Sequence, residues 1–183
     1  MWQLNKTEQS FLLSLARQSI DRSLSGSPPP SPQDVPPGPL QEPHGAFVTL
    51  TQRGRLRGCI GYTLPFKPLY ETIMDCAVAA ATRDPRFAPL SSRELPDTEI
   101  EISVLSPFFE IQNVEEIEVG KHGLMVARGG QQGLLLPQVA TEHHFNRERF
   151  LEQTCLKAGL QETAWKEPGT RILAFTAFVF SKD

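Results

Sequence analysis

No stretch of this sequence approaches the roughly 20 consecutive apolar residues that span a bilayer, which argues against a membrane-crossing helix. Met1 to Lys6 leads into a helical pattern rather than an apolar signal core, so a cytoplasmic location is expected. Cysteine is scarce. Cys59, Cys76 and Cys155 form an odd set without CxxC spacing, which argues against a disulfide scaffold and a zinc ribbon and fits reduced thiols. Basic charge is not in excess: 18 Lys and Arg face 21 Asp and Glu, for a net charge of −3. The basic residues scatter, apart from one cluster at Arg53, Arg55 and Arg57. A general nucleic-acid binder, which needs a basic stripe, is therefore not expected. The P-loop, GxGxxG, HExxH and GxSxG patterns are missing too, and with them the chemistry each would announce.

What is present is an ordinary globular composition, 39% hydrophobic and 21% charged over 183 residues, enough for one good core and treated as a single domain over 1–183. Asn5 and Glu8 have capping-box spacing ahead of Leu12, Leu13, Leu15, Ala16 and Ile20, which predicts a helix ending near Gly26. Residues 27–44 are different: eight of the sixteen prolines fall there, from Pro28 to Pro43. That density rules out a helix or a central strand and predicts an extended surface connector.

Ala46–Gln52 reads as a strand, Arg53-Gly54 as a turn, and Arg55 to Gly61 as the return strand. Pro65 and Pro68 open a helix with Leu69, Ile73, Cys76, Ala77 and Ala80 on one face, closed by Arg83 to Phe87. Glu99–Leu105 alternates, with Ile100, Ile102 and Val104 facing the core. Gly123–Arg128 and Gln131–Leu136 form a second hairpin across Gly129-Gly130. Asn146 caps a helix that stops at Gly159, and Arg171–Phe180 is apolar on both faces, as a central strand is. Hairpins with interspersed helices, lacking a βαβ rhythm, predict an α+β fold with a largely antiparallel sheet.

The candidate site is the strand Leu56-Arg57-Gly58-Cys59-Ile60-Gly61. Alternation places Arg55, Arg57, Cys59 and Gly61 on one face, with Leu56 and Ile60 in the core. Cys59 is the candidate nucleophile or redox thiol. Arg57 is the candidate thiolate or anion stabiliser, since a nearby cation favours the thiolate. Gly58 and Gly61 remove side chains beside the sulfur, which lets a ligand or another backbone segment approach closely; glycines in a strand also mark bulges. Asp84 and Arg86 can hold one another across a turn, or Arg86 can hold an anion. Gln138, beyond the strand ending at Pro137, can aim an amide into a cleft. His143 and His144 are adjacent and lack helical metal-ligand spacing, so no metal site is expected; His122 is read as a solvated turn residue.

The hexapeptide Leu56 to Gly61 resembles the signature of the AMMECR-domain family, called AmmeMemoRadiSam system protein A in prokaryotes. Gly45–Leu50, Asp84–Phe87, Ile102–Pro107, Gly133–Ala140 and Lys157–Leu160 followed by Trp165 resemble family blocks in the same order, covering roughly residues 5–182. The resemblance implies an α+β fold with an antiparallel sheet, packed helices, and a larger and a smaller subdomain. It also implies association with a Memo-like protein and a radical-SAM protein. It supplies no cofactor and no established activity. Residues 28–39 are richer in proline than the family pattern, and His143-His144-Phe145 stands where a tryptophan-containing stretch is expected. Two classes of function follow: an enzyme or enzyme component acting through Cys59 on a small-molecule or side-chain ligand, and a non-catalytic adaptor for those two partners.

Overall fold

The computed structural model describes residues 3–182. The chain divides into two compact units. One takes the described chain up to Leu105 and again from Phe178; the other is Ser106–Ala177.

In the first unit, α1 (Lys6–Leu24) begins with the expected capping box: the Asn5 side chain accepts from the Glu8 N–H, and the Glu8 carboxylate accepts from the Asn5 N–H. The helix is released at Gly26, whose φ of +69° suits a residue without Cβ. The proline-rich segment then runs extended, with one exception to the surface strap expected from composition. Pro39–Gln41 forms a 3-10 turn that buries Leu40 fully in the core. A prolyl ring fixes φ where such a turn begins, so the strap anchors itself through its one large aliphatic residue.

β1 (Ala46–Gln52) and β2 (Arg55–Tyr62) pair antiparallel about Arg53-Gly54, both at positive φ. α2 (Leu69–Thr82) follows Pro68, and β3 (Glu99–Leu105) pairs antiparallel with β1. β2 is thus an edge strand. Leu12, Ala16 and Ile20 of α1 and Ile73, Cys76 and Ala77 of α2 cover the sheet face carrying Val48, Leu50 and Ile102. The opposite face carries Thr49, Thr51, Glu99 and Glu101.

In the second unit, β4 (Phe109–Glu110) and β5 (His122–Arg128) flank β7 (Arg171–Ser181), whose residues from Phe178 on belong to the first unit, and β6 (Gln131–Leu135) pairs with β5. α3 (Pro137–Glu142) and α4 (Arg147–Lys157) complete it, with Phe150, Leu151, Leu124 and Ala174 fully buried. Asn146 caps α4 through the Arg149 N–H, as its position predicts. All the strand pairings named are antiparallel, and the fold is α+β. No helix among the described residues is long and apolar enough to cross a membrane.

His122 departs from the sequence reading. It starts β5 rather than sitting in a solvated turn, is 7% exposed, and accepts a hydrogen bond at Nδ1 from the Glu118 N–H. Its burial pushes the imidazole pKa down.

Candidate functional site

β2 is not a regular strand. Its register with β1 runs Thr49↔Cys59, Leu50↔Gly58, then Thr51↔Leu56, so Arg57 is an inserted residue opposite no partner. A one-residue bulge reverses the alternation on its far side. This overturns the expected faces. Leu56 joins the open face opposite Thr51 and is 43% exposed, not core, and Arg55 leaves the face of Cys59.

The bulge also redirects Arg57. Its guanidinium donates to the Ala88 carbonyl at 2.8 Å and to the Pro89 carbonyl at 3.4 Å, and its Nε meets Glu94 Oε1 at 3.2 Å. Arg57 ties the edge strand to the loop after α2; it does not lie beside the sulfur as the strand alternation implies. The Glu94 carboxyl is held below its usual range by the Ser91 N–H and hydroxyl and by Arg57.

The two glycines are filled by protein. A Cβ on Gly58 would sit 2.1 Å from the Ala80 carbonyl oxygen, so α2 lies directly against β2 there. A Cβ on Gly61 would fall 2.3 Å from the Phe47 ring, which occupies that place on the open face. Close approach of a backbone or ring, rather than ligand access, explains both residues.

Cys59 lies between them, half-buried and free of any disulfide. Opposite Thr49 it forms a non-hydrogen-bonded pair, which brings side chains closest. The Thr49 hydroxyl donates to Cys59 Sγ at 3.2 Å. Thr49 in turn stands opposite Glu101 of β3. Thiol, hydroxyl and carboxylate therefore form one row across the solvent-facing side of the sheet. Sequence reasoning missed Thr49 and Glu101. The alternation of Glu99–Leu105 already placed Glu101 outward, but its register against Cys59 depends on pairings between distant segments.

The outward backbone of Cys59 is also engaged. Its N–H donates to Asp84 Oδ2 at 2.8 Å, and its carbonyl accepts from Arg86 Nη2 at 3.4 Å. Asp84 and Arg86 hold each other through two further contacts, Nε to Oδ1 at 3.0 Å and Nη2 to Oδ2 at 2.8 Å. The pair stands where a neighbouring strand would be, closing this part of the sheet edge. Arg86, together with the backbone donors, holds the buried Asp84 carboxyl well below the usual carboxylate range. Arg86 also brings a positive group to the Cys59 residue, the place the sequence reading gave to Arg57.

The other candidates lie elsewhere. Gln138 is not at a strand end; it is an exposed residue in the first turn of α3, in the second unit. Pro137 starts that helix, because its fixed φ suits the first helical turn. His143 and His144 are exposed at the end of α3, His143 stacking on Phe145 with ring centroids 5.3 Å apart. Cys76 and Cys155 are fully buried, and burial pushes the Cys76 thiol up to about 12. Among the described residues no three His, Cys, Asp or Glu side chains gather in a way that could hold a metal ion.

The AMMECR1 family profile matches residues 13–180. A protein of Methanothermobacter thermautotrophicus is 43% identical over 186 residues, covering 98% of this chain and 97% of that protein. A protein of Methanosarcina acetivorans is 41% identical over 187 residues, covering 98% and 94%. The crystal structure of the uncharacterized protein PH0010 from Pyrococcus horikoshii is similar with a TM-score of 0.85 and 38% identity, covering 100% of this chain and 95% of that one.

Proposed function

The chain belongs to the AMMECR1 family, and from that premise we propose that it is an enzyme or enzyme component whose working thiol is Cys59. The observation that carries this reading is the row Cys59, Thr49, Glu101 on the open face of the sheet. A donor hydroxyl already contacts the sulfur, so the negative charge that develops as the thiol loses its proton has a hydrogen bond in place. Adjacent strands lie about 4.8 Å apart, which puts the backbones of Cys59 and Glu101 about 10 Å from one another. Glu101 is exposed on the same face, and through a bridging water its carboxylate can take the thiol proton as the sulfur adds to a carbonyl carbon of a small substrate, the carbonyl π pair moving onto its oxygen. Asp84 and Arg86 act as positioning residues, fixing the backbone that carries the thiol. The Memo-like and radical-SAM proteins implied by the family resemblance are the proposed partners.

The adaptor reading keeps one observation of its own. Leu56, Tyr62 and Phe66 are exposed apolar residues on or beside β2, Phe66 at 74%, as a protein-docking surface would have. The Cys59→Ser variant separates the two. If it folds and binds both partner proteins but the assembled system loses its output, the thiol carries the function. Full output from that variant would support the adaptor.

A further inference from the structure

The arginine cluster at the β1–β2 turn has no part in the thiol reading. Arg53 lies in that turn and Arg55 follows it, and with Leu56 and Arg93 they line a groove of about 600 Å³. Arg57, also in its wall, is matched by Glu94. Among the described residues, no carboxylate lies within ion-pair distance of Arg53, Arg55 or Arg93. Three arginines without a carboxylate partner therefore line the groove, with Asp97 as its one remaining acidic lining residue. This is a concentrated positive patch on a chain of net charge −3.

The backbone adds a second observation. Arg53 sits at φ +50°, a left-handed conformation that hairpin turns normally give to Asn or Gly. An arginine there accepts local strain at a position that lines the groove.

We propose that this groove binds a phosphorylated small molecule through its phosphate or diphosphate group. Guanidinium forks match phosphate oxygens two at a time, and a cleft lined by one sign of charge concentrates anions. The volume is that of a small-molecule site. Exposed Leu56 supplies an apolar surface beside the charges for the body of the ligand. Anion capture in this groove requires no thiol chemistry and is read by binding alone.

Calorimetric titration of the full chain with pyrophosphate, and in parallel with inorganic phosphate, at low ionic strength tests it. Saturable binding is expected, tighter for pyrophosphate and weakened by salt. Arg53→Gln, Arg55→Gln and Arg93→Gln combined should weaken it by roughly tenfold or more for each guanidinium removed. Arg93→Gln alone lies off the hairpin and reports on the groove even if the turn variants disturb folding. Cys59→Ser should bind as the wild type does. The proposal is overturned if no saturable binding develops into the millimolar range. It is equally overturned if Arg93→Gln and the triple variant bind as tightly as the wild type, or if Cys59→Ser abolishes binding.

Discussion

Asp84 accepts the backbone N–H of Cys59 at 2.8 Å from 25 residues further along the chain. The interaction closes an otherwise open strand edge with a side chain that is 2% exposed. Removing that buried carboxylate leaves the Cys59 N–H and the half-exposed Arg86 guanidinium without their acceptor. Asp84→Ala is expected to destabilise the protein by about 1–3 kcal/mol, with Asp84→Asn costing less because it keeps an acceptor oxygen. Urea denaturation of the two variants against wild type measures this. The sign with pH follows from the depressed carboxyl. Its contribution is complete above the unfolded-state value of about 4 and is lost as pH falls below it. The acid limb of the stability curve should flatten in Asp84→Asn.

Gly58 and Gly61 separate packing from access. Gly58→Ala sets a methyl against the Ala80 backbone carbonyl, which belongs to a packed helix and cannot swing aside. A cost of about 1–3 kcal/mol or more is expected, with α2 displaced from the sheet. Gly61→Ala meets the Phe47 ring, which can turn, and also the Ala46 carbonyl at 2.5 Å, which cannot. It should therefore be destabilising, but less so than Gly58→Ala. Thermal melts rank the two; a tolerant Gly58→Ala would contradict the close approach of the helix.

Two buried histidines set a second pH window. Burial lowers the pKa of both His44 and His122 below the ordinary 6.5. The unfolded chain then binds protons that the folded chain resists, so stability should fall as pH drops below about 6.5. His122→Gln removes one titrating group and keeps an acceptor for the Glu118 N–H. Its stability should fall less steeply between about pH 6.5 and 5, as read from urea midpoints. This window lies above the one governed by Asp84, so the two effects are separable in a single pH series.

Much of the fold is legible in the residues because its signals are local. The Asn5–Glu8 capping box, the alternation of Ile100, Ile102 and Val104, and the Asn146 cap each act within a few positions. The thiol strand is legible in part. Its glycines announce a bulge or a close approach, and both occur, but nothing local says that Arg57 is the inserted residue. That one residue reverses the face of Leu56 and sends the guanidinium to the Ala88 and Pro89 carbonyls. The Asp84–Arg86 turn is readable from its sequence, whereas its seat on Cys59 is a tertiary interaction without local signature. Glu101 belongs to the same class, since cross-strand register between distant segments is fixed by the packed core. His122 escapes a local reading because a polar residue beside Lys121 and Gly123 has the composition of a turn, while strand pairing with Thr176 buries it.

The direct test of the thiol row is the rate at which iodoacetamide alkylates Cys59 in the folded protein at neutral pH, resolved by peptide mass spectrometry. Cys59 should react well ahead of the sealed Cys76 and Cys155. Thr49→Val, which keeps the shape and removes the hydroxyl, should slow it, and Glu101→Gln should slow it as well. A Cys59 that stays unlabelled until the protein unfolds, or one whose rate is indifferent to both substitutions, would contradict the account.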